Sequence, residues 1–493
     1  MKNIIRLCTI KFLELEIMTE TKANLNEMDF LPYEPRMKPS TPDSLSVKRT
    51  IFLSFAFFIV LLAWSYFNFK VPLLLNTILM GNPYLDLIKG FVMAIDNIVA
   101  VFLQPYFGDL SDRTKSKIGR RMPYIVIGTL TSVVFFVMIP FLQFIAGFIL
   151  IVFLFDVAMS IFRSASIAIL PDYTSQKVYS KGSAIQQFIA NLGGLLGFGV
   201  PIILGTNPGI PQVLFDALGF IIIGALMVVL LGILLLTINE TPTGDKFLKI
   251  SDKKLEIDPN TYKPMISRKP IKEMEKKGQR FISYRQTITI IRGHRDFAFF
   301  LATVFFMYLA FASVESFFSS FAVQYIGITE PQAATLFIAY SGPMVLVAYF
   351  VGLLGQWKKV GRRNAVKLYL IWLIISVSIM AFFVVPMIYK NYQPVLVIIM
   401  LALTSMPWMG FIVISFSILW ALTPEGKKGI YTGIYYTFNQ AAYALAPVIF
   451  GGTLTSVAFL GDYRYIIMFP FILVSIAVAF LLFLPIKGGE VKE

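Results

Sequence analysis

Twelve times along this chain a run of about twenty mostly apolar residues recurs, long enough as a helix to cross a bilayer's hydrocarbon core. In hydrocarbon no water satisfies a stray peptide group, so each run must fold as a helix. The runs cover roughly residues 51–75, 87–107, 124–144, 148–170, 183–204 and 213–238 in the first half. In the second half they cover 297–323, 333–354, 365–388, 395–422, 430–454 and 465–484. Hydrophobic residues make up 57% of the 493 and charged residues only 14%, a balance foreign to a soluble globular chain. A membrane β-barrel would show short alternating segments instead. The predicted fold is an all-α membrane protein with 12 transmembrane helices.

Charge sorts the loops between the runs. Lysine and arginine number 43 against 28 acids, a formal net charge of +15. The excess sits in alternate loops: Arg113 to Arg121, Lys177 and Lys181, Lys358 to Arg363, and Lys427 with Lys428. Intervening loops such as GTNPGIPQ are short and nearly uncharged. This is the positive-inside pattern of a multi-pass protein of the cytoplasmic membrane, with both termini cytoplasmic, and it offers no nucleic-acid site. The chain then divides into a cytoplasmic tail (1–48), a six-helix bundle (49–238), a basic polar linker (239–295), a second six-helix bundle (296–486) and a short cytoplasmic tail (487–493). The opening residues make no signal peptide, because Arg6, Lys11, Glu14 and Glu16 interrupt any apolar core, and Met18 is a second candidate start. The linker is expected to lie against anionic lipid headgroups.

The segment from Gly108 to Arg121, GDLSDRTKSKIGRR, is a tight charged loop between two spans. Gly108 gives room for close backbone approach, Asp112 and Arg113 place opposite charges at a helix end, and Gly119, Arg120 and Arg121 open the next span. A glycine, an acid and several cations at this spacing suit a latch between helices that rock against each other. The second half echoes it with Gly352 and Gly361-Arg362-Arg363. Asp172 after Pro171 is echoed at nearly the same offset by Glu425 after Pro424. Two echoes point to two pseudo-symmetric six-helix halves around a midplane site. Asp172 and Glu425, at the ends of the fourth and tenth spans, are expected to meet the basic hinges, Asp172 through Arg113 or Arg120.

These residues carry a family resemblance. Gly108, Asp112, Arg113, Gly119, Arg120 and Arg121 resemble the loop signature of the major facilitator superfamily. More narrowly, QPYFGDLSDRTKSKIGRRMPYI resembles the glycoside–pentoside–hexuronide transporters and the related sucrose/proton symporters, as does the fourth span with Arg163, Pro171, Asp172 and Ser180. The resemblance implies the major facilitator fold and transport of a glycoside coupled to an ion. Sodium-coupled members carry an aspartate directly before the second-span proline; Gln104 stands there in this chain, which favours the proton-coupled branch.

Ionisable residues at membrane depth are costly and mark function. Lys70, Asp96, Asp156, Arg163 and Glu315 are such residues. A carboxyl poised between desolvation and a nearby cation can take a proton on one side and release it on the other, so Asp96 and Asp156 are the candidate proton carriers. Asp156 and Arg163 are two helical turns apart, too far for a direct bond. Lys70 and Glu315, at similar depths in the first and seventh spans, are expected to approach each other as an outer gate or to line the cavity. A sugar needs amides or carboxylates for its hydroxyls and an aromatic face for its ring. The candidates are Trp64, Tyr66, Asn68, Lys70, Asn97, Arg163, Gln187, Asn191, Glu315, Tyr435, Asn439 and Gln440. With one histidine, His294, and one cysteine, Cys8, the spans hold no histidine metal site, no Ser-His-Asp triad and no internal disulfide. No nucleotide motif is present, and no cofactor is expected. The sequence thus predicts a monomeric secondary active transporter, not an enzyme, coupling protons to a disaccharide such as sucrose or maltose by alternating access. A sodium-coupled symporter, a facilitator of another polar solute and a non-transporting membrane sensor are the alternatives.

Overall fold

The computed structural model describes residues 46–114, 116, 118–173, 179–238, 291–356, 361–388, 391–423, 428–455 and 468–482. The tail to residue 45, the linker from 239 to 290, Glu425 and the segment 487–493 lie outside the described residues, as do the side chains of Asp112, Arg113 and Asp172.

Twelve long helices follow one another among the described residues. The first half holds α1 (Val47–Ile78), α2 (Leu85–Arg113), α3 (Met122–Met138), α4 (Ile145–Tyr173), α5 (Tyr179–Leu204) and α6 (Gln212–Thr237). The second holds α7 (Arg295–Ser320), α8 (Glu330–Gln356), α9 (Gly361–Ile379), α10 (Pro394–Leu422), α11 (Lys428–Thr455) and α12 (Met468–Leu482). α7 runs on as a π-helical turn over Phe321–Ile326, and α9 continues through a π-helical turn, Met380–Val384, into Val385–Ile388. Eight of these helices are long and apolar enough to cross a membrane on length and composition alone, among the described residues.

Each half buries its own apolar cluster, one centred on α1, α3, α4 and α6 and the other on α7, α9, α10 and α11. Phe67, Phe136, Phe155 and Phe220 interlock in the first, with Tyr66 edge-on to Phe220 at 5.0 Å. Phe300 and Tyr435 stack in the second. Lipid tails are as apolar as leucine, so close helix approach depends on small residues. On α5, a Cβ at Gly193 would lie 2.6 Å from the Phe58 carbonyl oxygen, and one at Gly197 would lie 2.6 Å from that of Leu62. Those glycines let α1 and α5 pack backbone to backbone.

The halves meet along α2 with α11, α5 with α8, and α1 with α7. If the second half repeats the first, α8 answers α2 and α11 answers α5. The first two contacts are then one contact repeated, as two-fold pseudo-symmetry requires.

Candidate functional site

One end of the molecule carries the hinge from Gly108 to Arg121. The other carries the short connections after α1, α3, α5 and α7. At this short-loop face the halves are closed. A Cβ on Gly90 of α2 would strike the Pro447 carbonyl oxygen of α11, and one on Gly451 would strike that of Asp86. The Leu87 amide donates to Thr455 Oγ1 at 3.0 Å across the same seam. Asn76 donates to Ser320 Oγ at 3.0 Å, and Lys89 donates to the same hydroxyl at 3.2 Å and to Asp86 at 3.0 Å. Lys89 is fully buried over the Phe317 ring.

Lys70 completes the closure, and not through the partner expected. Its Nζ reaches Asp216 Oδ1 of α6 at 2.8 Å and Glu330 Oε2, at the start of α8, at 2.5 Å. Glu315 instead accepts from Asn68 at 3.1 Å, two residues back along α1 toward the middle of the molecule. Lys70 and Asn68 lie two apart on α1 and so point in different directions. Lys70 is committed to two acids and does not line the cavity.

Below the closure, on the hinge side, a cavity of about 710 Å³ opens between the halves. Trp64 of α1, Gln187 and Asn191 of α5 and Glu315 of α7 line it. Gln187 donates to Asn191 at 3.5 Å, the contact of an i, i+4 pair on one helix face. The second half adds Tyr340, Trp408 and Tyr443, which the sequence reading missed. Tyr443 continues the i, i+4 series Tyr435 and Asn439 by one more turn, so that signal was present. Trp408 follows a helix proline, Pro407, and carried no periodic signal.

Beside the cavity lies a group of buried charges. Asp96 accepts from the Asn97 amide at 2.6 Å, and its other oxygen has no hydrogen-bond partner among the described residues. Neither carboxylate oxygen of Asp156 has one. Arg163 lies over the Trp64 ring, with Cζ 5.2 Å from the centroid, and its Nε is likewise unpaired. Asp96, Arg163 and Glu315 lie within electrostatic reach of one another, Asp156 within reach of Asp96 and Arg163, and Tyr443 within reach of Arg163 and Glu315. No two of them form an ion pair among the described residues. Trp64 thus stands between the cavity and Arg163, and Glu315 faces the same charges from the other half.

Other sequence candidates fall elsewhere. Tyr66 is buried against Phe136 and Phe220, its hydroxyl against Gly219, inside the first bundle. Tyr435 is buried in the second, with hydroxyl contacts of 3.4 Å to Tyr308 and 3.2 Å to Ser415. Asn439 and Gln440 are half-buried on α11 and are not among the described residues of the cavity wall. Aromatic rings fill bundle interiors by the same spacing that would bring them to a cavity, which is why these tyrosines misled.

At the hinge, Gly119 takes φ 97°, a left-handed turn open to glycine. Arg121 is buried and folds back on the end of α2, donating to the Gly108 carbonyl at 3.5 Å and to the Ser111 hydroxyl. Thr114 and the Tyr124 hydroxyl meet at 2.6 Å. Gly108 faces Ser164 of α4, whose hydroxyl bonds the Gln104 carbonyl at 2.8 Å. Arg120 is half-buried. The contacts of Arg121 tie α2 to α3 within one bundle, so that side chain is a strap of the first half.

Two six-helix halves with a cavity between them, buried charges beside it and one face closed define a membrane transporter. The Major Facilitator Superfamily profile matches residues 53–447, and the chain belongs to that superfamily: it is a secondary transporter of a small molecule, not an enzyme. Solved structures share the fold at low identity. A bacterial homologue of the human lysosomal transporter Spinster, inward-facing and unoccupied, matches with a TM-score of 0.60 and 15% identity, over 90% of this chain and 95% of that one. A D-xylose–proton symporter matches with a TM-score of 0.64 and 13% identity, over 88% and 97%. A point mutant of the nucleoside transporter NupG matches with a TM-score of 0.62 and 11% identity, over 88% and 98%. No curated protein sequence matches the chain.

Proposed function

We propose that this chain is a proton-coupled symporter of a glycoside, a disaccharide such as sucrose or maltose, working by alternating access as a monomer in the cytoplasmic membrane. Both termini and the hinge lie on the cytoplasmic side in this reading, so the cavity faces inward. The observation that carries it is the pairing of an amide- and carboxylate-lined cavity with the unpaired buried oxygens of Asp156 and Asp96. Gln187, Asn191 and Glu315 offer the donors and acceptors that sugar hydroxyls require. The Asp156 oxygens, sharing Arg163 with Asp96 and Glu315, offer a place for a proton that can answer to what occupies the cavity.

Arg163 and Trp64 are the link. A sugar in the cavity against Trp64 would act on the guanidinium over its ring, and a change in the hold of Arg163 alters the balance between the acids it serves. Gln104 in place of an aspartate supports protons over sodium.

Purified protein in sealed vesicles tests this. Labelled disaccharide should accumulate when a pH gradient is imposed without sodium. Accumulation that requires sodium would replace the proton, and saturable binding without flux would replace transport with sensing.

A further inference from the structure

We infer that Asn68 is a positioning residue for proton coupling: through Glu315 it makes the buried charges answer to whether the short-loop face is shut. This rests on the proton-coupled reading and names the residue that joins its two parts, the seam and the proton site.

Asn68 is one of the sugar contacts the sequence offers, yet it is not among the described residues of the cavity wall. It is buried on α1, one helical turn from Trp64 on the side of the seam. Its Nδ2 donates to Glu315 Oε1 at 3.1 Å, a bond from the first half to the second. α1 and α7 run side by side in the same direction, because Asn76 meets Ser320 farther along both helices. The Asn68–Glu315 bond therefore lies between the sealed seam and the cavity. Glu315 lines that cavity and also lies in the field of Arg163. One carboxylate of the second half thus answers both to an amide and to a guanidinium of the first.

Parting the seam draws α1 from α7 and takes the amide away. A carboxylate that loses a donor leans on the nearest cation, and for Glu315 that cation is Arg163. The guanidinium is not fixed: its Nε has no hydrogen-bond partner among the described residues. Drawn toward Glu315, it leaves Asp156, whose two oxygens have no hydrogen-bond partner there either. A buried acid without its cation holds a proton in place of a bare charge. With the seam shut, Asn68 holds Glu315, Arg163 returns to Asp156 and Asp96, and the proton leaves. Loading with the short-loop face open and release with it shut is the order a symporter needs. The groups around this exchange are Asp96 of α2, Asp156 and Arg163 of α4, Tyr340 of α8 and Tyr443 of α11. Phenols carry no charge near neutral pH, so three acids and one guanidinium decide it.

Linkage is reciprocal: if the seam governs the proton, protons govern the seam. The test therefore needs no sugar. The full chain carrying Cys8→Ser and Ser320→Cys is labelled with a maleimide in detergent, from mildly alkaline to mildly acid pH. Each rate is divided by that of the unfolded chain at the same pH, which removes the titration of the thiol itself. The corrected rate should rise about fivefold or more toward acid pH. Asp156→Asn should abolish the rise, and so should Asn68→Leu, with Asn68→Ala in its place should the leucine variant fail to fold. A residue that merely bolts the seam would, when replaced, raise the rate at every pH and leave the rise intact; that result overturns the inference. A rise that persists in Asp156→Asn also overturns it, because the seam's own acid, Glu330, then carries the effect. Either result beside pH-driven sugar accumulation leaves the symporter reading standing. Absence of pH-driven accumulation of any sugar overturns that reading and this inference with it.

Discussion

Asp156 is the residue on which the proposed coupling turns. Both of its oxygens are buried without a hydrogen bond among the described residues, a costly arrangement that a chain keeps only where it serves a purpose. Asp156→Asn preserves size and removes the proton site. Accumulation driven by a pH gradient should fall to simple equilibration, while exchange of labelled for unlabelled substrate persists; measuring both fluxes in the same vesicles separates them. Unaltered accumulation would dismiss Asp156 as the carrier. Lys70 makes a second residue-scale prediction. It and Asp216 are both buried, whereas Glu330 is 30% exposed. Asp216→Ala leaves the buried lysine with a single, partly solvated partner. Thermal unfolding in detergent should register a loss of about 3–5 kcal/mol. Buried charge was legible in the sequence because aspartate and lysine inside an apolar run stand out. Their partners were not, because Asp216 and Glu330 lie at span ends where a charge draws no notice. Lys89 was missed for the same reason: at the start of a span a lysine is expected to snorkel, yet Asp86 and Ser320 hold it inside.

At the scale of the element, the apolar runs gave the helices within a few residues, since membrane length and backbone satisfaction leave little freedom. One large departure is α2, which extends helically to Arg113 while its apolar run ends near residue 107. Polar residues can continue a helix into the headgroup region without adding to the apolar signal. Which helices touch was far less legible, because hydrophobicity all round a helix hides its packing face. Glycine carries that information instead. Gly90 and Gly451 hold α2 and α11 at backbone distance on the short-loop face. Replacing Gly451 with leucine has nowhere to put the side chain except between the helices. We expect Gly451→Leu to open that face and close the other. In a Cys8→Ser background, Ser320→Cys, buried in the sealed seam, should then react with a membrane-impermeant maleimide several-fold faster. Unchanged reactivity would mean that the seam tolerates the side chain.

For the molecule as a whole, the pseudo-two-fold relation explains why one face is shut while a cavity opens toward the other. The contacts α2 with α11 and α5 with α8 are counterparts in a perfect repeat, but the residues at them differ. Glycines draw α2 and α11 together near the short loops, where the Leu87 amide bonds Thr455, and on the same face Asn76 with Ser320 and Lys70 with Glu330 fasten α1 to α7 and α8. On the α5 side Gln187 and Asn191 face open cavity. Alternating access requires the fastened seam to part while the open side closes. Fixing the seam should therefore stop transport without abolishing the site. Asn76 and Ser320 touch across it, with Nδ2 and Oγ 3.0 Å apart. In a chain carrying Cys8→Ser, Asn76→Cys and Ser320→Cys, oxidation or a short thiol crosslinker should arrest net uptake, and reductant should restore it if the thiols were joined as a disulfide. Substrate binding measured in detergent, where the hinge face is accessible, should survive the crosslink with affinity changed less than about threefold, because the linked state is the one whose cavity is already open. Transport that continues at full rate in demonstrably crosslinked protein would show that the halves need not separate at this seam, and the rocking of one bundle against the other would have to pivot there.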